Sequence, residues 1–141
     1  FDNIDRIIML LTGAGFSLHG VGDNPQLLDT PLMPFAFAGE TAIHCTLLDG
    51  AVRDFNLMTR RAAVQADLQV LTIGRAAQQL PLSAQTLIYV ASGSLEVVLE
   101  NQRISLAARQ TLSLTDGIGS VQLSSKHNTK VIYIGLSFIA A

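Results

Sequence analysis

The sequence predicts an all-β protein, a sandwich or barrel assembled from two related halves. Three observations predict it. Apolar runs are short, and several alternate at period two, as strands with one buried face do. Turn signals of Gly, Asn, Asp and Pro recur between those runs. Two ordered matches link the halves. Ile7-Ile8-Met9-Leu10-Leu11-Thr12-Gly13 lies over Leu87-Ile88-Tyr89-Val90-Ala91-Ser92-Gly93 without a gap. Pro34 to Gly39 lies over Thr111 to Gly117 with one inserted residue, and each half then ends in a longer strand, Val52 to Thr59 and Lys130 to Phe138.

The elements follow in order. Arg6 to Leu11 and Phe16 to His19 are strands flanking Thr12-Gly13-Ala14-Gly15, which reads as a hairpin turn needing permissive backbone. Gly22-Asp23-Asn24-Pro25 is a further turn. Thr41 to Leu48 is a strand closed by Asp49-Gly50, a hairpin signal. Val64, Ala66, Leu68 and Val70 alternate with polar positions and predict a half-exposed strand. Gly74 to Ser83 is the expected connector, because Pro81 discourages a continued strand. Leu87 to Val90, Leu95 to Leu99, Thr111 to Leu114, Ser120 to Leu123 and Lys130 to Phe138 complete the set. The expected division is a first half over 1–73, a connector over 74–83 and a second half over 84–141.

Composition narrows the function classes. A chain of 141 residues with 49% hydrophobic and 14% charged content supports a sizeable core. Its apolar runs are too short to span a membrane as helices. A net charge of −2 argues against nucleic acid, whose phosphates need a basic field. Cys45 is the single cysteine, so no intrachain disulfide forms; this fits a reducing, cytoplasmic setting.

Catalytic and metal signatures are weak. His19, His44 and His127 are scattered, whereas a metal site needs three or four converging ligands, so no metal and no cofactor are expected. Gly13-Ala14-Gly15 lacks the third glycine and following helix of a dinucleotide loop. Cys45 alternates away from His44 and reads as a buried, inert thiol. His44 itself reads as a strand histidine bonded to a neighbour or facing solvent; the sharper alternative is a donor inside a cavity. Arg60-Arg61 reads as a solvated strand end; the alternative is a pair that borders a cavity and attracts an anion.

The most informative stretch is Val52-Arg53-Asp54-Phe55-Asn56-Leu57-Met58-Thr59-Arg60-Arg61. It places charge and amide on a run that otherwise reads as a buried strand. Alternation puts Asp54, Asn56 and Met58 on one face and Arg53, Phe55 and Leu57 on the other. An unpaired buried carboxylate is costly, so an inward Asp54 needs a donor or a ligand. Arg6 is the best cationic companion, able to clamp a carboxylate through two parallel hydrogen bonds. The ligand-binding set is therefore Arg6, Asp54, Asn56, Met58 and His44. The competing reading is an internal Arg6–Asp54 or Arg53–Asp54 pair that joins two strands. If only one half carries a polar site, it is the first, because the second has mostly Ser, Thr and aliphatic residues at the matching positions.

Ile4-Asp5-Arg6 and the run into Leu11-Thr12-Gly13-Ala14-Gly15 resemble the HutD/Ves family of bacterial cupin-like proteins. The resemblance continues through Leu27-Leu28-Asp29, Pro34 to Gly39 and Leu47-Leu48-Asp49-Gly50, and culminates in Arg53 to Arg60, covering about residues 1–61. It implies a double cupin-like fold of two β-barrel or jelly-roll halves, free of metal. It also implies a non-catalytic accessory or regulatory protein of bacterial histidine utilisation. The implied ligand is a small anionic metabolite such as N-formylglutamate, with neither nucleic acid nor membrane as partner. Asp54 would then orient Arg6, since like charges repel. Members usually carry a Trp- and Gly-containing segment and a further strand before the position of Phe1, and this chain has no Trp. A metal-independent cupin enzyme, an isomerase or hydrolase of a small polar metabolite, is the alternative, because this fold class hosts both.

Overall fold

The computed structural model describes residues 1–140, and every regular element among them is a strand. The strands are β1 Ile4–Thr12, β2 Phe16–His19, β3 Gln26–Leu28, β4 Phe35–Ala38, β5 His44–Leu47, β6 Arg53–Arg60 and β7 Val64–Ile73. They continue as β8 Gln78–Pro81, β9 Gln85–Ser92, β10 Ser94–Leu99, β11 Gln102–Ala107, β12 Thr111–Thr115, β13 Ser120–Ser124 and β14 Thr129–Phe138. Two compact units result, Phe1–Val64 and Gln65–Ala140.

The first unit holds two three-stranded sheets, ordered β4-β1-β6 and β3-β2-β5. The second holds two four-stranded sheets, ordered β12-β9-β14-β7 and β11-β10-β13-β8. Every pairing of the first unit recurs eight strands later: β1 with β4 and β6 becomes β9 with β12 and β14. Likewise β2 with β3 and β5 becomes β10 with β11 and β13. The two sequence matches fall on equivalent strands, so the duplication is real at the level of topology. The second unit adds β7 and β8, one at the edge of each sheet.

Alternation built the cores. In the first unit Ile8 and Leu10 from β1 cluster with Phe16, Leu18 and Leu28. In the second, Ile88, Val90, Leu95, Val97, Leu123 and Val131 belong to a larger cluster that includes Ile73 and Tyr133. The Tyr133 hydroxyl donates to the Pro81 carbonyl, and burial pushes its pKa up.

Three expected connections are different. Thr12 to Gly15 is not a hairpin, because β1 and β2 lie in different sheets. It is a corner, with Gly13 at φ 105° and Gly15 at φ 118°. A Cβ on Gly13 would sit 2.7 Å from the Ala51 carbonyl oxygen, so the position admits only glycine. Asp49-Gly50 likewise joins β5 to β6 of the other sheet. The division into units falls between Val64 and Gln65, and residues 74–83 carry strand β8. The physical reason is that β7 bonds β14, not a strand of the first unit. Pro81 is accommodated because it ends an edge strand, where its missing N–H costs little.

Arg61, expected as a solvated end, is a clamp within the first unit. Its Nε donates to Asp5 at 2.7 Å, and Nη1 and Nη2 donate to the two Glu40 oxygens at 3.0 and 2.9 Å. This forked bond lowers the Glu40 carboxyl from its ordinary 4.5 to about 2, with backbone N–H groups adding to the effect. The native state thus holds Glu40 ionised where the unfolded chain would protonate it. Stability from this group is present above the unfolded pKa and is lost as pH falls through about 2. We expect Arg61→Gln to return the Glu40 carboxyl toward 4.5 in an NMR pH titration, with little change in melting temperature, because exposed ion pairs contribute little. An unmoved titration midpoint would refute the assignment.

Candidate functional site

The site is built on one face of sheet β4-β1-β6. Register places Arg6 between Phe37 and Met58, Ile8 between Phe35 and Asn56, and Leu10 beside Asp54. The face therefore grades from a fully buried Leu10 to a half-buried Arg6. The sheet β3-β2-β5 presents Phe16 and Leu18 from β2, with Cys45 opposite Leu18. Between them lies a cleft of about 210 Å³ lined by Arg6, Asp54, Asn56, Cys45 and apolar side chains that include Ile8, Phe16 and Leu18.

The polar wall is a relay. Arg6 Nε and Nη2 donate to Asn56 Oδ1 at 3.3 and 3.1 Å. Asn56 Nδ2 donates to Asp54 Oδ2 at 3.3 Å. Only this amide orientation serves both neighbours, since a guanidinium cannot accept and a carboxylate cannot donate. Phe37 supports the guanidinium from below, its ring centroid 4.7 Å from Arg6 Cζ, a cation–π contact. The competing reading of a direct Arg6–Asp54 pair gives way to this bridged arrangement. Leu10, not Arg6, is the cross-strand neighbour of Asp54, which leaves Asn56 in between.

Two expected site residues lie elsewhere. Met58 flanks Arg6 on the same face, 40% exposed, but it does not line the cleft. His44 points away from it. Register pairs His44 with His19, the rings 6.0 Å apart, while Cys45 pairs with the buried Leu18 and so shares its face. The reason is strand alternation: β5 turns Cys45 toward the cleft and must turn His44 outward. Cys45 is consequently exposed to the cleft, not buried in a core. Desolvation first, and the nearby Asp54 charge second, push its thiol pKa up from the ordinary thiol value. Sequence reasoning missed Cys45 as a lining residue. Its signal was the alternation Ile43, Cys45, Leu47 against His44 and Thr46, which marks the apolar face of β5. Among the described residues, no group of three or more His, Cys, Asp or Glu side chains is placed to hold a metal ion.

Two units of one strand topology, the first carrying a guanidinium–amide–carboxylate wall, define a duplicated all-β protein. Known proteins of this architecture match it along nearly the whole chain. A conserved protein of unknown function from Pseudomonas aeruginosa PAO1 superposes with a TM-score of 0.89 at 29% identity, covering 98% of this chain and 74% of that one. HutD from Pseudomonas fluorescens SBW25, solved in a formate condition, superposes with a TM-score of 0.83 at 25% identity, covering 99% and 71%. A Pseudomonas putida protein named as an uncharacterized 21.2 kDa protein in the hutC 3' region is 38% identical over 110 residues, 75% of this chain and 56% of its own length. The chain spans about half the length of such relatives. The family described as HutD matches residues 1–133, and the chain belongs to it. The match reaches far beyond the motifs of residues 1–61, into the second unit. No helix of the structure is long and apolar enough to cross a membrane.

Proposed function

We propose that this chain is a non-catalytic metabolite-binding module of bacterial histidine utilisation, and that its first-unit cleft takes a formylated glutamate-type anion. Family membership and the hutC-linked relative support the setting. The observation that carries the ligand class is the ordered wall Arg6–Asn56–Asp54 on an otherwise apolar cleft. Arg6 has N–H groups beyond the two spent on Asn56 and can bind a ligand carboxylate. Asn56 Nδ2 has a second N–H, beyond the one spent on Asp54, that can donate to a formyl oxygen. Asp54 can accept the ligand's amide N–H, which removes the like-charge conflict at that end. Ile8, Phe16 and Leu18 suit the methylene chain between these groups. A cleft of about 210 Å³ is below the roughly 300–1,000 Å³ of drug-sized sites, which favours a small metabolite.

The test is calorimetry with N-formylglutamate and glutamate on the wild type, Asn56→Leu and Arg6→Met. We expect preference for the formylated ligand. Asn56→Leu should weaken binding by about 1–3 kcal/mol and erase that preference. Arg6→Met should cost at least as much and reduce the salt dependence. Circular dichroism establishes that each variant is folded. Unchanged affinity in both folded variants would make the wall a structural bridge between β1 and β6.

A further inference from the structure

The second unit carries a cleft of its own, about 550 Å³, lined by Arg75, Arg103, Lys126, His127, Glu96 and Ser125, among others. It is not a repeat of the Arg6 cleft, which lies between two sheets. In sheet β11-β10-β13-β8, Leu95, Val97, Leu106 and Leu123 are buried on the inner face. Alternation therefore turns Arg103 and Glu96 to the outer face, where Glu96 stands opposite Ser105 and Ser124. The interior of this unit is an apolar cluster. Its polar cleft is external, at a place where alternation is normally read as a solvated face.

Two features set it apart from a solvated face. The first is charge. Three of the chain's nine Lys and Arg line it against one of its eleven Asp and Glu. That one acid, Glu96, already accepts a hydrogen bond from the Ser105 hydroxyl. Among the described residues, Arg75, Arg103 and Lys126 make no ion pair. Clustered like charges oppose folding, so the fold gains nothing from gathering them. The second feature is rigidity. Ser125, only 4% exposed, donates its hydroxyl to the Ser94 carbonyl at 2.7 Å and accepts the His127 N–H at 3.1 Å. The Ser125 N–H donates to the Gly74 carbonyl at 2.8 Å, and Arg75 Nε donates to the Lys126 carbonyl at 3.4 Å. The turn that carries Lys126 and His127 is thus tied to the segment that carries Arg75, so two of the three cation-bearing segments are joined before any ligand arrives.

We propose that this cleft binds a small anion with two or more oxyanionic centres, phosphate or carboxylate. Its volume falls within the roughly 300–1,000 Å³ of small-molecule sites. A nucleic-acid track would need an extended basic field, and the chain is net −2.

Inorganic pyrophosphate and citrate are the probes, titrated by calorimetry into the wild type, Arg6→Met, Arg103→Gln and Lys126→Gln. We expect at least one probe to bind the wild type and Arg6→Met equally. Arg103→Gln and Lys126→Gln should each weaken it about tenfold, as loss of a charge-assisted contact does. Their melting temperatures without ligand should be unchanged or raised. Binding of one probe alone names the oxyanion class. Failure of both probes to bind the wild type, or unaltered affinity in Arg103→Gln and Lys126→Gln, overturns the proposal. Loss of binding in Arg6→Met with retention in the other two would place the anion in the first-unit cleft instead. A DNA duplex that binds more tightly than either probe would assign the patch to nucleic acid.

Discussion

Phe16→Ala is expected to destabilise the protein by about 3–5 kcal/mol, the cost of removing a fully buried ring and leaving a cavity. Phe16 is 1% exposed, and it is the largest side chain in a buried cluster otherwise made of Ile8, Leu10, Leu18 and Leu28. With so few members, that cluster has little capacity to close over the lost volume. Phe16 also lines the cleft, so whatever fraction stays folded should have a larger and less selective site. Phe16→Leu keeps most of the volume and separates the two consequences: stability should largely return, while selectivity between formylglutamate and glutamate should stay reduced. Urea unfolding followed by circular dichroism measures the first effect, and calorimetry the second. A loss below about 1 kcal/mol for Phe16→Ala would mean that this cluster does not hold the first unit together.

Gly93→Ala is expected to cost roughly 2–5 kcal/mol, from a left-handed backbone that alanine resists and from steric overlap. Gly93 has φ 88° and connects β9 to β10 across the two sheets of the second unit. A Cβ there would overlap the Thr129 hydroxyl and lie 3.2 Å from its Cβ. That hydroxyl cannot easily give way. It donates to the Ser94 carbonyl at 2.8 Å, accepts the Ser94 N–H at 3.2 Å, and meets Ser125 Oγ at 2.9 Å. Thr129 is fully buried, so displacing it would leave polar groups unsatisfied. Ser92→Ala, one residue away and exposed, should by contrast be nearly neutral. Equal melting temperatures for the two variants would contradict this account of the corner.

How far the sequence could be read shows in individual strands. β7 was legible because Val64, Ala66, Leu68 and Val70 keep strict alternation, and the structure half-buries them in that rhythm. β8 and β11 were not. Gln78–Pro81 has a weak apolar pattern and a terminal proline. Gln102–Ala107 follows a turn at Glu100-Asn101, with Glu100 at φ 54°, and lacks the glycine that marks most tight hairpins. The glycine turns are legible in the sequence, but their role is not. Gly13 and Gly50 mark sharp changes of direction, and nothing local distinguishes a hairpin from a corner between sheets. That depends on which strands β1 and β6 pair with, and those partners are tens of residues away.

The same division runs through the candidate site. By itself the sequence determined the all-β class, the duplication, and the shared face of Asp54, Asn56 and Met58, because period-two alternation is a local consequence of strand geometry. It also singled out Arg6 as their companion. Only tertiary structure decided the rest. Register set Ile8 opposite Asn56 and Leu10 opposite Asp54, and this turned a supposed Arg6–Asp54 pair into a relay through Asn56. Register likewise set Cys45 beside Leu18 and sent His44 outward. The basic cleft of the second unit unites Arg75, Arg103 and Lys126, which no sequence spacing connects. Alternation is written into each strand, whereas register and sheet neighbours arise from long-range hydrogen bonding and packing between segments far apart in the chain.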